Sequence, residues 1–319
     1  MYYLGIDLGG TNIVAGVVDE SYKIIAKADC KTAAPRPESQ ICDSMMEMAQ
    51  KAVKKAKITL EDIDFIGIGV PGAVNPKTGI VEYSANLFFH NWQIVKMMEE
   101  RLGKKVSIEN DANAAAYGEY LAGAAKGAKN AVVITLGTGI GTGIIINGKI
   151  YSGSNYAGAE MGHMVIVYNG KECACGRKGC WEAYASATGL IHMTKEAILT
   201  ERPDSSYMLK QLGGDLNRVN GLTAFNAMRA GDAVGSAVVE KYISYLGCGI
   251  VNVINIFQPD IICIGGGVSR EGETLLAPLR ALVEQERYTK HNKKQTVLCT
   301  ASLGNDAGII GAAFLGKAE

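Results

Sequence analysis

Residues 2–20, YYLGIDLGGTNIVAGVVDE, decide the fold, because apolar and β-branched residues lie on both sides of the turn DLGGT (7–11). This pattern predicts a strand, a glycine-rich turn and a second strand. Residues 131–150, AVVITLGTGIGTGIIINGKI, repeat the same plan about half a chain later. Two glycine-rich hairpins in two halves of the chain indicate a duplicated α/β domain.

Outside the two hairpins, helical and strand patterns alternate, which favours a layered α/β architecture. A chain of 319 residues also exceeds the size at which one hydrophobic core usually stops growing, so we expect two lobes with a ligand-binding cleft between them. The polar segment 201–222 is interpreted only as a surface excursion. Helices are predicted at 39–57, 94–103, 112–125, 234–257 and 305–316, and strands at 65–70, 105–111 and 260–265.

Charge and hydropathy exclude several classes of protein. Lys+Arg and Asp+Glu both number 32, so no net charge would attract nucleic acid or an anionic membrane over a wide surface. There is no run of roughly eighteen apolar residues, and the N-terminus enters a strand pattern without a basic region or cleavage site. We therefore expect a soluble cytoplasmic protein with neither nucleic acid nor a membrane as its partner.

The turn DLGGT carries groups that suit a phosphate. Gly9 and Gly10 remove the side chains that would keep phosphate oxygens from backbone N–H groups, and Thr11 and Asn12 add side-chain donors. Asp7 is placed to organise the water shell of a Mg²⁺ ion, which dehydrates reluctantly. For this turn alone, an ordinary hairpin turn is the alternative.

Further glycine motifs differ in what they predict. The turn GTGIGTG (137–143), with Thr138 and Gly139, supplies a second donor-rich loop that could hold the same polyphosphate. The run IGGGV around Gly266 would let the backbone approach a flat adenine and ribose. GIGVPG (67–72) matches the dinucleotide fingerprint, but the residues after it cannot open a helix, so we reject that interpretation in favour of a loop near substrate. The chain contains no P-loop motif.

The stretch CACGRKGCWE (173–182) places three cysteines within eight positions. A cytoplasmic compartment disfavours a disulfide, whereas Cys173, Cys175 and Cys180 with His163 make a Cys₃His set that would close a tetrahedral, structural Zn²⁺ site. The alternative is a group of thiols in the core. The remaining cysteines are scattered singly, several of them in apolar runs typical of buried residues: Cys30, Cys42, Cys248, Cys263 and Cys299.

Three carboxylates are candidates for chemistry. Asp111 stands where a strand pattern ends and an Ala-rich helix begins, so it is either the N-cap of that helix or a proton acceptor whose ionised form the helix N-terminus favours. Glu160 and Glu182 flank the cysteine cluster, and carboxylates can accept two O–H bonds from the adjacent hydroxyls of a sugar. Exposed surface Glu is the alternative for this pair.

The motifs DLGGT, GTGIGTG, AEMGH (159–163) and CACGRKGCWE, in this order and spacing, resemble the ROK family of sugar kinases and sugar-responsive repressors over nearly the whole chain. The resemblance implies an actin-like ATPase fold (a duplicated ribonuclease H-like fold) of two α/β lobes with a central cleft. We place the small lobe at residues 1–112 plus 306–319 and the large lobe at residues 113–305. It implies ATP and Mg²⁺ in the cleft and a zinc ion on the Cys₃His set. It further implies that Asp111 is the catalytic base and that the sugar is contacted by Asn86, Asn110, Asp111, Glu160, His163 and Glu182.

The resulting prediction is an ATP-dependent hexose kinase that phosphorylates glucose at the 6-hydroxyl. N-acetylmannosamine, N-acetylglucosamine, fructose and allose remain alternatives, and so does polyphosphate as the phosphoryl donor. A repressor of the same family would need a helix-turn-helix before DLGGT, and only six residues precede Asp7. An actin-like filament or chaperone would share the phosphate turns without needing the zinc set. The resemblance also suggests a homodimer or tetramer.

Overall fold

The structure is a computed structural model that describes residues 1–200 and 206–317. The lobe boundaries predicted from the sequence, 1–112 plus 306–319 against 113–305, stay a prediction. The chain forms two compact units, of which the first comprises Met1–Val133, Thr142–Ala159 and Ala301–Glu319 and the second comprises Ile134–Gly141 and Glu160–Thr300.

Strands and helices alternate along the chain, and the predicted α/β class is confirmed. The helices and strands predicted from sequence are present, with bounds that differ by at most three residues. The strands are β1 (Tyr2–Leu8), β2 (Asn12–Asp19), β3 (Ile24–Lys31), β4 (Ile63–Val70), β5 (Ala73–Asn75), β6 (Ile80–Ser84), β7 (Phe89–Trp92), β8 (Val106–Asn110), β9 (Ala131–Leu136), β10 (Ile140–Ile146), β11 (Lys149–Ile150), β12 (Ile261–Gly266) and β13 (Val297–Thr300). The α-helices are α1 (Glu38–Lys55), α2 (Ile94–Leu102), α3 (Asp111–Ala122), α4 (Glu182–Ala185), α5 (Ala187–Thr200), α6 (Tyr207–Gln211), α7 (Thr223–Arg229), α8 (Ala233–Phe257), α9 (Glu273–Glu286) and α10 (Ala307–Ala313).

The first unit is built on a five-stranded sheet with the order β3-β2-β1-β4-β8. The predicted hairpin is confirmed: β1 and β2 pair antiparallel from Tyr2↔Asp19 to Leu8↔Ile13, while β4 is parallel to both β1 and β8. Parallel strands end at one edge of a sheet, so the ends of β1, β4 and β8 place Asp7, Val70 and Asn110 along the same edge. A small sheet, β5-β6-β7, follows β4.

Helix α10 packs against α3 and β1 through glycine positions that allow close backbone approach. A Cβ added to Gly311 would lie 1.7 Å from the Ala114 carbonyl oxygen, and one on Gly5 would lie 2.0 Å from the Ile309 carbonyl oxygen. Neither contact leaves room for a side chain. This packing fixes α3, whose first turn carries Asp111.

A second five-stranded sheet has the order β11-β10-β9-β12-β13. Its strands β12 and β13 are parallel, with Cys263 opposite Cys299. In the second unit α8 packs against α4, α5, α7 and α9. By length and composition this helix alone among the described residues could cross a bilayer, but 61% of its apolar window is buried inside the protein, as in the core helix of a soluble domain.

The segment 201–222, interpreted as a surface excursion, is mostly exposed in its described part, 206–222, but it also contains structure that the sequence analysis did not predict. Helix α6 lies within it, and Met208 and Val219 join Ile198 and Ala227 in a buried apolar cluster. The few apolar residues of this polar segment therefore dock it on the second unit. Residues 201–205 lie outside the described residues.

Candidate functional site

The DLGGT turn is braced from the strand that follows the hairpin. Gly9 N donates to Asn12 O at 2.9 Å, closing the turn. Buried Thr32, just beyond β3, donates its hydroxyl to Gly9 O at 2.6 Å and its N–H to Thr11 O at 2.9 Å. Gly10, Thr11 and Asn12 remain exposed. The turn thus presents its predicted donors to solvent while its carbonyls are held, and Thr32 is a bracing residue that sequence reasoning missed.

Asn86 lies against the same turn. A Cβ added to Gly10 would lie 3.4 Å from the Asn86 Cβ and 3.8 Å from its carbonyl oxygen. Asn86 stands on the β6–β7 connection, 76 positions along the chain from Gly10. The structure therefore brings this predicted sugar residue beside the predicted phosphate turn, which no local pattern shows.

Asp7 and Asp111 form an electrostatically coupled pair in the first unit. Burial and, to a smaller extent, the negative charge of Asp111 together raise the pKa of Asp7 from its ordinary 3.8 to about 6. Burial also raises the pKa of Asp111, against the opposing effect of backbone N–H groups. Two desolvated carboxylates side by side attract a cation and make good proton acceptors near neutral pH.

Asn110, and not Asp111, is the N-cap of α3. Its side-chain oxygen accepts from Ala112 N at 2.9 Å and Asn113 N at 3.1 Å, and its amide group donates to Gly72 O at 3.0 Å. The N-cap interpretation of Asp111 is therefore wrong, because the preceding residue performs that role. Asp111 is the first helical residue, and its carboxylate accepts only from backbone N–H groups among the described residues.

Gly72 ends the GIGVPG stretch, which leads from β4 into β5 and not into a helix. Rejection of the dinucleotide fingerprint is thus confirmed. The contact between Gly72 O and the Asn110 amide places this loop beside a predicted sugar residue.

Glu109 is a buried carboxylate that sequence reasoning missed. It is 6% exposed and accepts from Asn110 N at 2.9 Å, from Asn113 Nδ2 at 3.0 Å and from Ser152 Oγ at 3.2 Å. Burial raises its pKa, and these hydrogen bonds oppose that rise. Glu109 therefore holds the start of α3 and the segment after β11 in place, directly before the Asn110–Asp111 pair.

In the second unit, the four predicted metal ligands converge. The ligand atoms of His163, Cys173, Cys175 and Cys180 all lie within 4.8 Å of one another. The Cys175 and Cys180 sulfurs are 3.7 Å apart, and the Cys173 sulfur is 3.7 Å from His163 Nδ1. Tetrahedral Zn²⁺ with ordinary bond lengths separates two sulfurs by about 3.8 Å and a sulfur from a nitrogen by about 3.6 Å. The group fits a four-coordinate zinc ion.

Glu182 connects this cluster to the second glycine-rich turn. Its Oε1 lies 3.0 Å from Cys173 Sγ and 3.5 Å from His163 Nδ1, while its Oε2 accepts from Ile140 N at 3.3 Å. A Cβ on Gly139 would lie 2.4 Å from Oε2, so a side chain at this position would displace the Glu182 carboxylate. The structure thus places Glu182 between the cluster and the 137–143 turn.

Trp181 anchors this segment to α8. It is fully buried, its indole N–H donates to Tyr245 O at 3.0 Å, and a Cβ on Gly249 would lie 2.0 Å from its ring. Because Trp181 lies between Cys180 and Glu182 in the chain, the indole fixes a metal ligand and a predicted sugar residue together.

The remaining predicted residues of the second unit lie at turns and at the end of a strand. Glu160 is exposed and begins the short 3-10 turn that ends at His163. Thr138 is exposed at the tip of the 137–143 turn. Gly266 ends β12 at a φ of 89°, and a Cβ there would lie 2.2 Å from Leu136 O, so only glycine fits.

Curated relatives cover nearly the whole chain. The glucokinase of Thermotoga maritima is 36% identical over 322 residues, which is 98% of this chain and 96% of that protein. The xylose repressor of Bacillus spizizenii is 31% identical over 310 residues, which is 97% of this chain and 75% of the repressor.

A solved structure agrees with the fold. The crystal structure of a ROK family glucokinase from Streptomyces griseus in complex with glucose and AMPPNP has 34% sequence identity and a TM-score of 0.82, and the match covers 99% of each chain. The predicted actin-like fold is therefore confirmed. A family model described as ROK family matches residues 3–319. Together with relatives above 30% identity over almost the full chain, this match shows that the chain belongs to the ROK family.

Proposed function

We propose that this chain is a glucokinase that transfers the γ-phosphoryl group of ATP to the 6-hydroxyl of glucose, the first step of glucose use. The observation that carries the proposal is the state of Asp111, a half-buried carboxylate whose pKa is raised by desolvation and which does not cap the helix, because Asn110 does so. Such a group can accept the proton of an attacking hydroxyl. The glucokinase relatives support glucose as the sugar.

Phosphoryl transfer needs little covalent help from protein, so positioning and charge neutralisation supply most of the catalysis. The exposed N–H and hydroxyl groups of the first glycine-rich turn would contact the phosphates of ATP, and Asp7 would order the waters of a bound Mg²⁺. The ion neutralises charge on the phosphates when bound. The nucleotide contacts that we propose are Asp7, Gly9, Gly10, Thr11, Asn12, Thr138, Gly139 and Gly266.

Sugar hydroxyls need convergent acceptors and donors. We assign this role to the six residues that the family resemblance implies: Asn86, Asn110, Asp111, Glu160, His163 and Glu182. A structural zinc ion on the Cys₃His cluster would orient His163 and, through Trp181, Glu182. We also assign the protein to the cytoplasm as a homodimer or tetramer.

The first test is ADP release with ATP over a panel of glucose, mannose, fructose, allose, N-acetylmannosamine and N-acetylglucosamine. Glucose should give the highest kcat/KM. GTP and polyphosphate in place of ATP test the phosphoryl donor. If another sugar exceeds glucose tenfold, the glucose assignment is wrong while the kinase assignment stands.

Asp111→Asn tests the proposed base, with Asp232→Asn as its matched control. Asp232 is the N-cap of α8 and accepts from Gly235 N at 2.7 Å, so the same exchange at a pure cap should leave turnover intact. Asp111→Asn should lower kcat by roughly two to four orders of magnitude, with glucose binding little changed and Tm unchanged or raised, because the exchange removes a desolvated charge. If turnover stays within about threefold of the parent, Asp111 is not the base.

A sugar-responsive repressor is the second candidate, favoured by the 31% identity to the xylose repressor. A repressor would bind sugar without consuming ATP. Glucose binding by calorimetry, together with no ADP release for any sugar of the panel, would favour it over the kinase.

A further inference from the structure

Two cysteines outside the metal cluster face each other on neighbouring strands. Cys263 of β12 and Cys299 of β13 are directly paired in the parallel register, so their side chains point to the same face of the sheet. Their sulfurs are 3.6 Å apart. In the sequence 36 positions separate them, and each looks like an isolated thiol.

The backbone positions suit a covalent link. Neighbouring strands of a sheet lie about 4.7–4.9 Å apart, and disulfides join Cα atoms separated by about 4.4–6.8 Å. β13 has four residues and lies at the edge of its sheet, so it can shift toward β12 as the sulfurs close from van der Waals contact to bonding distance. Cys263 is fully buried whereas Cys299 is only partly buried, so an oxidant would reach Cys299 first.

We propose that Cys263 and Cys299 form a redox modification site, in which a peroxide converts the two thiols into a reversible disulfide that ties β13 to β12. Cys299 sulfur attacks one oxygen of hydrogen peroxide, the O–O bond breaks, and the leaving hydroxide takes the thiol proton as water. Cys263 sulfur then attacks the Cys299 sulfenic acid, the S–O bond breaks, and the second hydroxide leaves as water with the Cys263 proton. Two thiols and one peroxide thus give one disulfide and two waters. Disulfides in cytoplasmic proteins are usually transient or redox-sensing, which suits a reversible link.

The test is peptide mapping of the zinc-loaded, full-length protein after hydrogen peroxide and alkylation of the remaining thiols, without reduction. Trypsin alone leaves Cys248 and Cys263 in one peptide, so an Asp-specific protease is added to cut before Asp260 and Asp306. The expected product is peptide 260–270 joined to peptide 295–305, lighter than their sum by two hydrogen atoms and cleaved by a thiol reductant. Zinc release is followed with a chelating dye, so that oxidation of the Cys₃His cluster is measured separately.

Two variants complete the test. Cys248→Ser should give the same linked peptide, whereas Cys263→Ser should abolish it and leave Cys299 as a sulfenic acid that dimedone traps. If Cys299 is oxidised in the parent protein but no 263–299 link forms, the proposal is wrong. A link that forms only in urea-unfolded protein would overturn it as well, since folding would then not bring the thiols together.

Discussion

Replacing Asp7 with Asn should stabilise the protein while removing activity. The pKa of Asp7 is raised from 3.8 to about 6, first by burial and then by the charge of Asp111. Such a carboxylate costs folding energy wherever the folded state must hold it ionised. Asn has almost the same size as Asp and no charge, so it can replace Asp7 without a clash. The Asp7 side chain lies close to Gly308, since a Cβ added to Gly308 would lie 2.9 Å from the Asp7 carboxylate.

The sign and size of the effect follow from linkage. Below pH 3.8 both the folded and unfolded states hold the proton, and there is no cost. The cost grows as pH rises and is complete above the folded pKa of about 6, where it reaches about 3 kcal/mol. At pH 5 it is about 1.6 kcal/mol. The gain from Asp7→Asn should therefore be about 1.4 kcal/mol larger at pH 8 than at pH 5, or roughly 2 °C in Tm for a chain of 319 residues.

The assay is thermal or urea unfolding of parent and variant at pH 5 and pH 8, without Mg²⁺ or nucleotide. Asp64→Asn is the control, since Asp64 is an exposed carboxylate on β4 of the same sheet. It should change stability little at either pH. Added Mg²⁺ should stabilise the parent more than Asp7→Asn, because the cation offsets the repulsion between Asp7 and Asp111. An equal gain in stability at both pH values, or a larger gain at pH 5, would show that the pKa of Asp7 is not raised in the folded protein.

Three further substitutions test the packing around the site. Gly249→Ala forces a Cβ into the ring of Trp181, so it should destabilise the second unit by about 1–3 kcal/mol in urea and lower the bound zinc per chain. Glu119→Gln should lower the unfolding free energy by about 2–4 kcal/mol. The buried carboxylate accepts from Ser302 N and three other donors, and the substitution would turn an amide N–H toward those donors. The control Ser302→Ala, which removes only the hydroxyl, should cost under about 1 kcal/mol. Cys175→Ser should abolish stoichiometric zinc in metal analysis and raise the KM for glucose more than that for ATP; normal sugar binding without zinc would show that the cluster does not position the sugar residues.

Features that depend on residues close together in the chain could be predicted from the sequence. The hairpin around DLGGT depends on residues within one short stretch, and so does the cysteine cluster, whose members lie within eight positions. His163 joined that set because it stands ten residues upstream of Cys173. Interactions between near neighbours in the chain leave a pattern that periodicity and residue type reveal.

Features that depend on packing between distant segments could not be predicted. Asn110 and Asp111 are adjacent and both cap helices well, so only the backbone at the end of β8 decides which one accepts from the helix N–H groups. Thr32 braces Gly9 at the open end of the β2–β3 hairpin, and Cys263 meets Cys299 because of strand register. In 206–222, a few apolar residues in a polar segment gave no periodic signal for α6.

Two buried and two half-buried carboxylates of the first unit differ in how well hydrogen bonds compensate their charge. Glu119 accepts from Ala124 N, Ser302 N, Ser302 Oγ and Leu303 N, and Glu109 accepts from three donors, so the structure compensates their charge. Among the described residues Asp111 accepts only from backbone N–H groups, and the negative charge of Asp111 raises the pKa of Asp7. A protein does not keep two poorly compensated carboxylates together for stability, since neutral residues of the same size would fold better. The energetic cost at Asp7 and Asp111 therefore supports the proposal that this pair, and not the better satisfied Glu109 or Glu119, meets a cation and a reacting proton.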